Sequence, residues 1–175
     1  DAGTYIARAK NGVARLRAIL TSLTEAATLE EALRSQERTR FDLNEVVAGV
    51  VEGYRLAHPQ TQFRLESPDA PLPVDGAPDA IVQVLEKLVD NALDFADPGA
   101  PIVVRLARAD GHAALSVANA GPPLPEKMRE RLFDPMVSVG KKKASQSRLG
   151  LGLYVVRLIA EFHGGTLRAG NLPGE

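Results

Sequence analysis

The 175-residue sequence contains no cysteine, which excludes disulfides, thiolate chemistry and every zinc site built on sulfur ligands. That absence fits a cytosolic compartment. Charge of either sign is not in excess: 21 Lys and Arg stand against 22 Asp and Glu, for a net charge of −1. Nothing global therefore draws the chain to nucleic acid or anionic lipid, and any anion recognition has to be local. No apolar run approaches the ~20 residues that a membrane-spanning helix needs, and no signal peptide is visible. Histidine is scarce, with three in all, His58, His112 and His163. What is present is an ordinary globular composition, 45% hydrophobic and 25% charged, enough for one or two domains with a normal core. The first residue is Asp1 and not Met, so the expectation is a piece of a longer protein.

Along the chain, Ile6, Ala9, Val13, Leu16, Leu20, Leu23 and Ala27 alternate three- and four-residue steps. This is the seam of a coiled coil or helical bundle. No other segment has the same period, so its mate is another molecule or a segment outside this chain; the competing reading is a helix docked on its own domain. The charged stretch "EEALRSQERTR" reads as the end of that helix and a linker. A second helix starts in "FDLNEVVAGVVEGY", with Asp42 or Asn44 near its cap. "TQFRLE" reads as a strand, residues 79–96 as a long amphipathic helix, and "PIVVRLAR" and "AALSVAN" as two strands turning at Asp110-Gly111. A short helix opens at Pro125, the lysine-rich loop "DPMVSVGKKKASQSR" without periodicity spans 134–148, a last helix follows, and "GTLRAG" begins another strand. The fold class expected is α+β: a two-layer sandwich, a mixed sheet covered by helices on one face, preceded by a long bundle-forming helix.

Two features carry chemistry. In the helix 79–96, Ile81, Leu85, Leu88, Ala92 and Phe95 share one face, while Gln83, Lys87, Asn91 and Asp94 share another. An amide on such a stripe can ligate a hard cation through its carbonyl, and a lysine one turn away suits phosphate; taken alone, the stripe reads as solvated surface. The second feature is Gly150 and Gly152 at the start of the last helix. Bare glycines are kept where backbone must come close to something, and a helix N-terminus attracts anions through free N–H groups and its dipole.

The order of "LVDNALDFA", "NAGPP", "LFDPM", "GLGL" and "HGGTL" resembles the N box, first glycine box, F box, second glycine box and following helix end and strand of the ATP-binding catalytic domain of sensor histidine kinases. These belong to a superfamily shared with gyrase, the Hsp90 chaperones and MutL. The resemblance covers roughly residues 41–173 and implies that the anion is the triphosphate of ATP, held with Mg2+. It implies Asn91 as the magnesium ligand, Gly150, Leu151 and Gly152 at the phosphates, and Asn119, Gly121, Thr166 and Phe95 around adenine, with 137–149 as the ATP lid. Lys141, Lys142 and Lys143 are candidates to reach the γ-phosphate from that lid. The implied division is 1–40, the second helix of the dimerisation hairpin with a linker, and 41–175, the catalytic domain.

Several positions depart from the family's pattern. Lys87 stands where a second asparagine is common and where the ATPase branches carry the glutamate that activates water, which argues against a gyrase or Hsp90-type hydrolysis. Asp94 replaces a basic residue, and Lys87 is expected to take over phosphate neutralisation, with Asp94 either supporting magnesium through water or facing solvent. Asn119 stands where an aspartate is usual, and Arg148 and Leu149 make the lid hinge stiffer. The phosphoacceptor histidine is absent: His58, His112 and His163 precede Pro59, Ala113 and Gly164, not an acidic residue, so no catalytic nucleophile is assigned in this chain. The partners implied are a histidine-bearing hairpin helix of the same kinase, a response regulator receiver domain, and a second copy through the N-terminal helix, with no nucleic acid. The place implied is a cytoplasmic domain of a membrane-anchored bacterial sensor. Rival readings are a scaffold of the same fold with a decayed nucleotide site, and an anti-sigma-type serine kinase.

Overall fold

In a computed structural model, residues 2–109, 111–135, 137 and 151–172 are described. Helix α1 (Ala2–Ser35) leads through a short linker to strand β1 (Thr39–Asp42) and helix α2 (Leu43–Ala57). Strands β2 (Phe63–Glu66) and β3 (Pro73–Gly76) precede the long helix α3 (Pro78–Phe95). Strands β4 (Ile102–Ala109) and β5 (His112–Asn119) follow, then a single turn of helix, α4 (Glu126–Arg129), and helix α5 (Gly152–Phe162).

The main sheet is mixed, as expected, with the order β2-β4-β5: β2 runs parallel to β4, and β4 antiparallel to β5. Gly111, at φ 80°, takes the left-handed conformation that the turn between β4 and β5 requires. Alternation along the strands sets the two faces. Phe63, Ile102, Val104 and Leu106 point inward against Leu43, Val47 and Val51 of α2 and Leu85, Val89 and Ala92 of α3. On the other face, Arg105 pairs with Glu66 at 2.6 Å, both half-exposed. Helices thus cover one face, the two-layer sandwich read from the sequence. The buried side of α3 is Ala80, Val84, Leu85, Val89 and Ala92. Phe95, expected on that side, is 38% exposed; in the same last turn it is Ala92 and Leu93 that pack on the core.

Two features differ from the sequence-based reading. Strands β1 and β3 form a separate antiparallel pair, Thr39 opposite Gly76, which no local pattern announced. Asp42 is the N-cap of α2: its carboxylate accepts from the Asn44 N–H at 3.0 Å and from the Leu72 N–H at 2.9 Å, so the cap also ties the start of β3's approach to α2. The segment "GTLRAG", expected to begin a strand, has no ladder. It is fastened instead by Asn171, whose side chain accepts from the Leu124 N–H at 2.7 Å and donates to the Leu124 carbonyl at 3.0 Å. An amide side chain here replaces a strand's paired backbone groups.

Helix α1 divides into two stretches with different surroundings. Near its C-terminus, Ala26 and Leu33 are buried, and Leu29 and Leu33 join Ala77, Ala80, Val84, Val156 and Ile159 in a second apolar cluster between α3 and α5. Earlier, Tyr5, Ile6, Val13, Leu16, Leu20 and Leu23 remain exposed. The seam residues Ile6 to Ala27 all stay exposed; the end that docks on its own domain does so through Ala26, Leu29 and Leu33, which lie off that seam. Just past the helix, Arg38 donates to the Phe162 carbonyl and lies over the Phe162 ring, 4.9 Å from its centroid.

Candidate functional site

The site is organised by α3. Its polar stripe holds Gln83, Lys87 and Asn91, all half-buried, and Asp94, exposed. A helix repeats its face every three to four residues, so these side chains climb one line between the two glycine-bearing segments. Gln83 Oε1 is buried without a hydrogen-bond partner, an acceptor desolvated on the same line.

At its C-terminal end, α3 meets the first glycine-bearing segment. The Asp97 N–H donates to the Ala120 carbonyl at 2.8 Å. A Cβ added to Gly121 would stand 2.2 Å from the Phe95 carbonyl oxygen and 3.1 Å from Asn119 Nδ2. Only glycine permits this approach, which brings Phe95, Asn119 and Gly121 together. Asn119 donates through Nδ2 to the Ala120 carbonyl at 3.2 Å.

Two turns earlier, α3 meets the second glycine-bearing segment. Gly152 is the first residue of α5, and the Lys87 side chain passes 3.7 Å from where a Gly152 Cβ would be. Leu151 is the N-cap, 6% exposed, and offers no side-chain cap to the free N–H groups of the helix start. The stem of a lysine thus lies beside a helix N-terminus whose N-cap residue supplies no side-chain acceptor, an arrangement suited to polyanionic phosphate. Thr166 is exposed in the segment after α5. Gly150 and Lys141, Lys142 and Lys143, with the rest of 138–150, lie outside the described residues.

The residues fit a nucleotide that carries its own metal. Among the described residues, no three His, Asp or Glu side chains gather as a metal cage. The Asn91 amide carbonyl is a hard oxygen donor that could join phosphate oxygens and water around a magnesium ion, which keeps few protein ligands.

Sequence reasoning missed two contacts around this site. Arg157 of α5 bonds Asp134 at 3.2 Å and Glu161 at 2.8 Å, fastening the "LFDPM" segment to α5. The hydrogen bond that Arg157 donates to Glu161, and then the Glu161 charge, raise the Arg157 pKa above the ordinary guanidinium value, so it stays cationic. His163 is the C-cap of α5 and, through Nε2, accepts from the Ala77 N–H at the head of α3. Both contacts join residues far apart in sequence, where spacing gives no signal. His58 caps α2 and stacks on Tyr54 at 5.9 Å, and His112 is exposed at the start of β5. Neither is part of the site.

The arrangement is one helix touching two glycine-bearing segments, over a sheet covered by helices on one face. The sequence profile of the histidine kinase-, DNA gyrase B- and HSP90-like ATPases matches residues 76–175, and the chain belongs to this family, as a histidine kinase ATP-binding catalytic domain. Among curated relatives, it is 28% identical to the probable sensor histidine kinase TcrY of Mycobacterium tuberculosis over 173 residues, 97% of this chain and 36% of that protein. It is 29% identical to the sensor protein ChvG of Rhizobium meliloti over 178 residues, 95% of this chain and 30% of that protein. The chain therefore spans only about a third of these relatives. The catalytic domain of histidine kinase ThkA, solved without nucleotide, is 30% identical and superposes with a TM-score of 0.69, covering 79% of this chain and 90% of that one. ThkA solved in complex with the response regulator TrrA is 27% identical, with a TM-score of 0.64 over 89% of this chain and 43% of that one. No helix among the described residues is long and apolar enough to cross a membrane.

Proposed function

We propose that residues 41–175 bind Mg-ATP between α3 and α5 and deliver its γ-phosphoryl group to a histidine on a separate hairpin helix. Residues 1–40 are then the second helix of that hairpin with its linker. In this reading Asn91 holds magnesium through its carbonyl, and Lys87 neutralises phosphate at the head of α5. Gly150, Leu151 and Gly152 bring backbone N–H groups to the phosphates. Asn119 accepts from the adenine amino group, with Gly121, Phe95 and Thr166 around the base. Lys141, Lys142 and Lys143 approach the γ-phosphate from the lid, and Asp94 supports the metal through water or faces solvent. The observation that carries the reading is the pair of close approaches along one helix, Gly121 on Phe95 and Gly152 on Lys87.

Phosphoryl transfer asks little covalent work of the protein. An imidazole nitrogen attacks the γ-phosphorus, the bond to the bridging oxygen breaks, and ADP leaves. Bound magnesium supplies charge neutralisation, and the chain's own residues position the nucleotide and offset its charge. The acceptor histidine lies on the hairpin's other helix. The exposed row Tyr5 to Leu23 is the surface that this helix and a second copy of the chain cover. Relay to an aspartate of a response regulator follows in the whole protein, in keeping with the ThkA complex with TrrA, and the domain works on the cytoplasmic side of a membrane-anchored sensor. Isothermal titration with ATP, with and without Mg2+, tests the reading. Magnesium-dependent binding is the expected result, whereas no binding would favour a decayed scaffold.

A further inference from the structure

Helices α3 and α5 run antiparallel. Lys87 in the middle of α3 meets the head of α5 at Gly152, and His163 at the tail of α5 meets the head of α3 at Ala77. Ten residues separate Ala77 from Lys87 and eleven separate Gly152 from His163; at 1.5 Å per residue these are about 15 and 16 Å. The two stretches match in length, so a contact that fixes one end fixes the approach at the other.

The contact at the far end is specific. Ala77 is the N-cap of α3, is fully buried, and has no side chain able to cap. Its N–H is one of the donors that a helix start leaves without an intrahelical partner. His163 supplies the acceptor: Nε2 lies 3.0 Å from the Ala77 N–H, and Nδ1 lies 2.7 Å from the Ile159 carbonyl. One ring nitrogen must accept and the other donate, so the imidazole is neutral and carries its proton on Nδ1. Gly76 makes room for the ring, since a Cβ there would stand 2.4 Å from His163 Cδ2 and Nε2. Phe162 meets the ring edge-on at 4.9 Å.

We propose that His163 is a positioning residue: it pins the tail of α5 to the head of α3 and thereby keeps Lys87 opposite Gly152. This rests on the nucleotide site proposed above. Losing the pin lowers the fraction of molecules with the phosphate end of the site assembled, and apparent affinity falls with that fraction. The adenine end, held by the Asp97 to Ala120 bond, is left intact.

The test uses His163→Leu, His163→Gln and Gly76→Ala, each titrated with Mg-ATP and with adenosine. Glutamine can still accept from the Ala77 N–H. Gly76→Ala displaces the ring without removing it, which keeps the test standing if His163→Leu does not fold. Both His163→Leu and Gly76→Ala are expected to bind Mg-ATP about fivefold more weakly, the equivalent of one hydrogen bond of ~1 kcal/mol. Their adenosine binding should be unchanged, and His163→Gln should stay within about twofold of the parent for both ligands. In the parent, nitrogen-15 NMR should find the His163 proton on Nδ1 and slow exchange of the Ala77 amide. Parent-like ATP binding by His163→Leu and Gly76→Ala, equal losses for ATP and adenosine, or a proton on Nε2 would each overturn the proposal. A parent that binds no Mg-ATP would overturn the nucleotide reading and the positioning role with it, while the NMR still decides whether His163 holds Ala77.

Discussion

Replacing Lys87 by Ala probes the least usual feature of the site, a cation at a position where the family's resemblance calls for an amide or a glutamate. The side chain is half-buried and passes 3.7 Å from the Gly152 Cβ position at the uncapped head of α5. A charge-assisted hydrogen bond to phosphate from such a place is worth ~1.5–3 kcal/mol. At ~1.4 kcal/mol per decade this converts to about 10- to 150-fold in affinity. Isothermal titration of Lys87→Ala with Mg-ATP should show that loss. Adenosine, which has no phosphate, should bind the variant and the parent alike, because Phe95, Asn119 and Gly121 lie at the other end of the helix. Equal Mg-ATP affinity for parent and variant would refute the reasoning and make Lys87 ordinary surface. Parallel loss of adenosine binding would show that the substitution had damaged the helix instead.

Asn91→Ala should abolish the dependence of ATP binding on Mg2+, read from titrations with the metal and with a chelator. Gly121→Ala should weaken binding of both ATP and adenosine by about 5- to 150-fold, because its Cβ would stand 2.2 Å from the Phe95 carbonyl oxygen and must push the first glycine-bearing segment off α3; overpacking of this kind costs ~1–3 kcal/mol. The exposed row of α1 should drive self-association, and Leu16→Lys with Leu23→Lys should give a monomer in sedimentation velocity without loss of nucleotide binding. A parent already monomeric at the same concentration would contradict that.

Local pattern made much of the fold legible. The three-to-four-residue spacing in 79–96 located α3, Asp110-Gly111 located the turn between β4 and β5, and the glycines after the lid segment located the start of α5. The four-residue strands β1 and β3 were not legible, since Thr39 to Asp42 pair with Pro73 to Gly76 across thirty intervening positions and neither run alternates long enough to stand out. The seam of α1 was visible, but not its division, because burial of Leu33 depends on Val156 and Ile159 far along the chain. "GTLRAG" has a strand's composition and lacks a strand's partner. Around the site, the sequence singled out Lys87, Asn91 and both glycine-bearing segments because they recur at helical or motif spacing. The contacts of His163 with Ala77, 86 residues apart, and of Arg157 with Asp134, 23 apart, arise only when α5 lies along α3.

An ATP-binding domain of a histidine kinase whose own three histidines lack the acceptor context needs a histidine supplied from outside it. Incubating the chain with γ-labelled ATP and Mg2+, alone and with an added histidine-bearing hairpin, and measuring acid-labile label puts this to the test. No label is expected on the chain by itself, and acid-labile label is expected on the added hairpin. Acid-labile label on this chain alone would contradict it, as would acid-stable label on a serine of any partner.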